Sequence, residues 1–70
     1  MNLSTLKTFL AIAETRSLVK ASEFLFVSQS TVTARLQSLE SDIGQALFLR
    51  KKSGVTLTAA GIKLKRYAQA

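Results

Sequence analysis

The residues best suited to recognise another molecule lie between positions 28 and 41, where the side chains form hydrogen bonds without carrying charge. At about 100° per residue, one helix face here would carry only small or uncharged polar residues. They are Ser30, Thr31, Ala34, Gln37, Ser38 and Ser41. No Asp or Glu occurs between Glu23 and Glu40, so no carboxylate would repel nearby phosphates. This face suits the major groove of DNA, and the alternative is a Ser/Thr-rich face that lies in water.

The sequence lacks the residues on which most catalytic and metal sites depend. It contains no His and no Cys, so it offers no imidazole base, thiolate nucleophile, disulfide or thiolate metal site. Its four acids include Glu14, Glu23 and Glu40, which we interpret as helix-surface or capping charges. The sequence therefore predicts neither an enzyme nor a cofactor or metal.

The net charge of +6 comes entirely from the C-terminal part of the chain. Four bases and four acids cancel up to Asp42, and six bases without an acid follow: Arg50, Lys51, Lys52, Lys63, Lys65 and Arg66. This asymmetry favours a polyanionic partner. Nucleic acid fits better than a membrane surface, because the bases do not all lie on one amphipathic helix. No apolar run approaches the roughly 20 residues that span a bilayer.

Hydrophobic spacing and capping residues predict the elements that position these side chains. Seventy residues, 47% of them hydrophobic, are expected to form one small domain. A first helix begins after an N-cap at Asn2 or Ser4 and runs to about Glu14. Its buried stripe is expected to follow helical spacing, with two aromatic or branched residues widening it. These positions are Leu3, Leu6, Leu10 and Ala13, widened by Phe9 and Ile12.

Two further helices are predicted close together. Ser17 is the expected N-cap of a helix from Leu18 to about Leu25, and residues 26–28 make a tight turn. Ser28 then caps a third helix that ends at Gly44. One stripe of that helix is apolar: Val32, Leu36, Leu39 and Ile43. Two helices joined by about three residues form a helix-turn-helix.

The last third of the chain predicts a β-hairpin and the start of a fourth helix. Ala46–Arg50 and Val55–Leu57 have the composition of strands, and residues 51–54 form a cationic turn between them. Thr58 is the expected cap of the fourth helix, and Gly61 is expected to allow a close helix contact. The expected fold class is mainly α with a small β-hairpin, a winged helix-turn-helix. Residues 1–57 would form the domain, and residues 58–70 would begin a linker helix.

Motifs in this order and at these spacings resemble the N-terminal DNA-binding domain of LysR-type transcriptional regulators. They are Leu6-x-x-Phe9, Ala13-Glu14, Ser17-Leu18-x-x-Ala21, Leu25-x-Val27-Ser28-Gln29-Ser30-Thr31-Val32-Thr33-x-x-Leu36-x-x-Leu39-Glu40, Gly44-x-x-Leu47-Phe48-x-Arg50 and Leu57-Thr58-x-Ala60-Gly61. The resemblance implies sequence-specific binding to double-stranded promoter DNA in the cytoplasm, in association with the nucleoid. It also implies a homodimer or higher oligomer paired through the linker helix. A small-molecule effector is implied only for a C-terminal domain that this chain does not include.

By resemblance and by geometry, the residues expected to read base edges lie in the first turns of the third helix. They are Gln29, Ser30, Thr31, Thr33 and Ala34. Gln can pair with adenine, and Thr or Ala methyl groups can contact the thymine methyl. The roles of Gln29 and Thr33 depend more on the resemblance than on the helical wheel. Family members commonly have Arg at the position of Ala34, whereas Arg35 here is turned by about 100°.

A second group of residues is expected to hold the DNA backbone. Arg35 is predicted as a phosphate clamp, with a base contact or a salt bridge to Glu40 or Asp42 as alternatives. Wing contacts to the backbone or the minor groove are expected from Arg50, Lys51, Lys52 and Ser53. Further phosphate contacts are expected from Lys7, Lys20, Ser17 and Leu18. Lys63, Lys65 and Arg66 are interpreted as a solvated face of the linker helix.

Two rival functions remain at the level of the sequence. One is a protein-interaction module, favoured by Phe24 and Phe26, of which one is expected to pack under the turn and the other to be exposed. The other is single-stranded RNA binding, for which an interleaved aromatic stacking platform is absent from the sequence. Binding to duplex DNA with a steep salt dependence would separate DNA binding from the interaction module.

Overall fold

The computed structural model describes residues 1–69, which form four helices and one two-stranded antiparallel sheet. The elements in chain order are α1 (Leu3–Thr15), α2 (Leu18–Leu25), α3 (Gln29–Ile43), β1 (Phe48–Lys51), β2 (Gly54–Leu57) and α4 (Ala59–Gln69). This is the predicted order of a winged helix-turn-helix. Ala70, which ends the predicted linker segment, lies outside the described residues. None of these helices is long and apolar enough to cross a membrane.

Each helix begins where a side-chain oxygen accepts a hydrogen bond from an amide of the first turn. The predicted caps are confirmed, and the structure selects Asn2 over Ser4. Asn2 accepts from Thr5 at 2.9 Å, Ser17 from Lys20 at 3.1 Å, Ser28 from Thr31 at 3.1 Å and Thr58 from Gly61 at 3.1 Å. Gly44 ends α3 in the left-handed conformation, as predicted, with φ 79°.

The buried side of α1 differs from the predicted stripe. Leu3, expected on that stripe, is 66% exposed, whereas Phe9 and Ile12 are fully buried. The prediction was wrong at Leu3, whereas Leu6, Leu10 and Ala13 are half-buried and pack against the core as predicted, next to buried threonines. Thr8 is fully buried, and its hydroxyl donates to the Ser4 carbonyl at 2.8 Å within the same helix. A hydroxyl satisfied in this way can enter the core, so polarity did not mark the solvent side.

The core lies where α1, α2 and α3 meet the root of the hairpin. The fully buried hydrophobic side chains are Phe9, Ile12, Ala21, Val32, Leu39 and Leu47. The Phe9 and Phe48 rings pack at a tilt, with centroids 5.4 Å apart, and join α1 to β1. The predicted apolar stripe of α3 is confirmed at Val32, Leu36 and Leu39, and Ile43 is half-buried. Burying each large side chain contributes about 1.5–3 kcal/mol, so this stripe fixes which face of α3 points outward.

Both phenylalanines near the turn are exposed, which contradicts the prediction that one packs beneath it. Phe24 is 70% and Phe26 is 94% exposed. Leu25 and Val27 pack against the core instead and occupy the space under the turn. Phe26 ends α2 in the left-handed conformation, with φ 57° and ψ 41°.

The hairpin is shorter at its start than predicted. Lys51 pairs with Gly54, so the turn contains only residues 52 and 53, and β1 begins at Phe48. Ala46 and Leu47, predicted within the strand, instead bond to the start of α4. The Thr58 hydroxyl donates to the Ala46 carbonyl at 2.7 Å, and the Thr58 amide donates to the Leu47 carbonyl at 3.0 Å. A β-carbon at Gly61 would collide with that Leu47 carbonyl, so Gly61 does allow a close approach, although to a loop backbone and not to another helix.

Candidate nucleic-acid interface

The first turns of α3 present an uncharged polar surface to solvent. Gln29, Ser30 and Ala34 are exposed, and Thr31 and Thr33 are half-buried. The Ser28 hydroxyl lies 3.0 Å from that of Ser30 and 2.9 Å from that of Thr31. All five predicted base-reading residues therefore lie outside the hydrophobic core, and the helix begins with a cluster of hydroxyl groups.

The wing, which is the hairpin formed by β1 and β2, lies beside this surface. Thr33 and Gln37 of α3 line a small cavity of about 110 Å³ together with Arg50 of β1. The Glu40 carboxylate borders the same cavity and accepts a hydrogen bond from the Leu47 amide at 2.7 Å. The loop that leads into the wing is thus attached to α3. Glu40, the acid of α3 that is closest in sequence to the base-reading residues, is already hydrogen-bonded to a backbone amide.

Arg35 extends from α3 toward α1. Its Nη1 donates a long hydrogen bond of 3.5 Å to the Thr8 hydroxyl, and the side chain is half-buried. The alternative of a salt bridge to Glu40 or Asp42 was wrong, because both acids have other partners. Glu40 accepts from Leu47, and Asp42 pairs with the N-terminal ammonium at 2.6 Å, the one ion pair within residues 1–69. A phosphate or base contact by Arg35 stays a prediction.

Seven of the nine predicted backbone-binding residues, all except Arg35 and Lys7, meet at an open cleft of about 490 Å³ between the wing and the junction of α1 and α2. Arg50, Lys51, Lys52 and Ser53 line one side, and Ser17, Leu18 and Lys20 line the other. Leu18 is 9% exposed, so any contact it makes with a ligand is through its backbone. Lys7 is exposed on α1 and does not line this cleft.

Arg16 is a further cation in this cleft and was not among the predicted binding residues. It is exposed and takes the left-handed conformation at the end of α1, with φ 58° and ψ 27°. Its position directly before Ser17, the N-cap of α2, was the feature of the sequence that could have identified it as a binding residue. Across residues 1–69, no group of three or more His, Cys, Asp or Glu side chains could hold a metal ion.

The domain consists of three packed helices and a cationic hairpin. The third helix exposes a polar face beside the hairpin, and this arrangement defines a winged helix-turn-helix domain. The sequence model described as bacterial regulatory helix-turn-helix protein, lysR family, matches residues 3–62. The chain belongs to this family, and the predicted resemblance is confirmed.

Individual relatives are similar over nearly the whole chain. The HTH-type transcriptional activator IlvY of Salmonella typhimurium (strain LT2) is 46% identical over 69 residues, which is 99% of this chain and 23% of that protein. The crystal structure of CbnR, a LysR family transcriptional regulator, superposes with a TM-score of 0.94 at 39% identity, over 99% of this chain and 24% of CbnR. The crystal structure of a CbnR_DBD–DNA complex gives a TM-score of 0.93 and is covered to 79%. These relatives are regulators, in agreement with the prediction that the chain is not an enzyme.

Proposed function

We propose that this chain is the DNA-binding part of a LysR-type transcriptional regulator and binds specific sites in double-stranded promoter DNA. The observation that carries the proposal is the exposed, uncharged polar face of α3 next to a wing that carries three exposed cations, Arg50, Lys51 and Lys52. The similarity to CbnR_DBD, which was crystallised with DNA, supports it. The chain spans 23% of the IlvY relative, so regulation by an effector would require the remainder of such a protein.

In this proposal α3 lies in the major groove and reads base edges. The reading residues are Gln29, Ser30, Thr31, Thr33 and Ala34. A helix with small side chains can approach the bases closely, and hydroxyl, amide and methyl groups distinguish base pairs there. The apolar stripe of Val32, Leu36 and Leu39 is buried, which holds the opposite face toward the groove.

The cations and the N-terminus of α2 supply affinity by contacting the DNA backbone or the minor groove. These residues are Arg35, Arg50, Lys51, Lys52, Ser53, Lys7, Lys20, Ser17 and Leu18. We place the protein in the cytoplasm, associated with the nucleoid, because its ligand is chromosomal DNA.

The proposed division assigns residues 1–57 to the DNA-binding domain and residues 58–70 to the start of a linker helix. The linker helix would pair with a second copy of the chain. Ile62 and Tyr67 on α4 are 44% and 74% exposed. They border a mostly apolar groove of about 620 Å³ that also involves Met1 and Ile43. Such an exposed apolar side supports pairing through α4.

The decisive experiment selects binding sites from random duplex DNA at a stated salt concentration and then measures affinity for the selected site over a range of salt. With about five phosphate contacts, the slope of log K against log salt is expected near −4 to −5. A single-stranded RNA of equal length is the control. Absence of steep, salt-dependent duplex binding would contradict the proposal and favour the interaction module suggested by the exposed Phe24 and Phe26.

A further inference from the structure

The cleft between the wing and the α1–α2 junction concentrates positive charge. Five of its lining residues are cationic: Arg16, Lys20, Arg50, Lys51 and Lys52. None of the residues that line it, all of them between positions 15 and 55, is acidic. Like charges collected around one opening repel one another, and an anionic ligand relieves that repulsion.

Backbone contacts fix the two sides of this cleft relative to each other. The Val55 amide of β2 donates a hydrogen bond to the Arg16 carbonyl, with N and O 3.2 Å apart. A β-carbon on Gly54 would lie 2.6 Å from the same carbonyl oxygen, so only glycine permits this approach. The wing is therefore bonded directly to the residue whose side chain adds a cation to the opening.

The backbone of Arg16 would suit glycine better than arginine. Its left-handed conformation is unfavourable for a residue with a β-carbon and is common for glycine at helix ends. Arg16 is exposed, and within the described part of the chain no carboxylate lies within ion-pairing distance of it. Neither local conformation nor an ion pair accounts for arginine at this position. A ligand of the guanidinium would account for it.

We propose that Arg16 binds a backbone phosphate of the DNA duplex and that the cleft holds one strand between the α1–α2 junction and the wing. The inference depends on the proposed function, because α3 must lie in the major groove for the adjoining cleft to meet the backbone. Arg50 lines both this cleft and the cavity next to Thr33, so the cleft continues directly from the base-reading face. A guanidinium is suited to a phosphodiester because it can donate two parallel hydrogen bonds.

The test compares R16Q with K65Q, which removes one positive charge from α4 at a position that does not line the groove proposed for pairing. Affinity for the selected duplex and for an unrelated duplex is measured at several salt concentrations, and sedimentation verifies the oligomeric state of each variant. R16Q is expected to flatten the salt slope by about 0.9 for both sequences. Near 0.1 M salt this corresponds to roughly tenfold weaker binding, because each released counterion contributes about 0.9 logarithmic units per tenfold change in salt. K65Q is expected to change neither quantity.

A third variant, R16G, separates folding from binding. Glycine adopts the left-handed conformation readily, so R16G is expected to raise Tm while weakening DNA binding as R16Q does. If wild-type protein binds DNA and R16Q matches K65Q in slope and affinity, the role of Arg16 is overturned and the proposed function stands. A change in preferred sequence with an unchanged slope would also overturn it. If the wild-type protein shows no salt-dependent duplex binding, the proposed function itself fails.

Discussion

The Glu40 carboxylate accepts a hydrogen bond from the amide of Leu47, with Oε2 and N 2.7 Å apart. Glu40 lies near the end of α3, and Leu47 is the fully buried residue that precedes the wing. The bond spans the loop between these elements. It attaches the loop that precedes β1 to α3.

The first prediction concerns this bond. Replacing Glu40 with Ala leaves the buried Leu47 amide without its acceptor, so we expect a loss of about 1–3 kcal/mol in the free energy of unfolding. E40Q keeps an acceptor of similar shape and should lose less. Urea titration followed by circular dichroism measures both, with E23A on the exposed side of α2 as the control. Equal losses in E40A and E23A would contradict a structural role for the bond.

The second prediction compares two glycines that both have positive φ. Gly44, with φ 79°, has open space around its missing β-carbon, so G44A should cost about 1–2 kcal/mol from backbone strain alone. Gly54, with φ 128°, faces the Arg16 carbonyl, so G54A should be more destabilising and should also displace the wing. Thermal unfolding and DNA titration measure the two effects. Unchanged DNA affinity in folded G54A would show that the wing position does not matter for binding.

The third prediction separates affinity from specificity. The double variant K51Q/K52Q should weaken binding to every duplex and flatten the salt slope by about 1.8, since two phosphate contacts are lost. T33A should instead change the preferred site by about 1–3 kcal/mol at one base pair. Thr33 is preferable to Thr31 for this test, because the Thr31 hydroxyl also contacts the cap residue Ser28. Altered sequence preference in the wing variant, with none in T33A, would reverse the assignment.

The fourth prediction concerns Phe26. Its backbone is left-handed and its side chain is 94% exposed, so F26G removes strain and loses little apolar burial. We expect a gain of about 1 kcal/mol in stability, observed as a higher Tm. F24A, at an exposed position inside α2, should leave Tm nearly unchanged. A lower Tm in F26G would mean that the aromatic ring stabilises the turn.

The sequence predicted features that depend on neighbouring residues. Caps at Ser17, Ser28 and Thr58 were identified correctly because each involves an amide three residues away. The polar face of α3 followed from its own apolar stripe. On α1, Leu3 was wrongly predicted to be buried and the burial of Thr8 was missed, because hydrophobic spacing does not consider a hydroxyl that bonds within its own helix.

Long-range relationships were harder to predict. Arg16 and the wing meet through the bond from Val55, and no local pattern places these residues together. Ala46 and Leu47 have strand-like composition, but their carbonyls bond to Thr58 and so lie outside the hairpin. Ser30, Thr31 and Ala34 could be derived from one helical wheel, and Gln29 and Thr33 depended more on the family resemblance. The cleft could be recognised only from the packing of several elements.

Helix α4 meets the root of the wing at Gly61, where a backbone carbonyl takes the space of a side chain. The Leu47 carbonyl and the end of the Leu57 side chain both lie against Gly61, so α4 touches the loop backbone directly. Twisting α4 about its axis while this contact persists would therefore turn the loop at Leu47, which Glu40 attaches to α3. A force on the C-terminal end of α4 would in this way be transmitted to α3. It would change the angle at which the outer face of α3 meets its ligand.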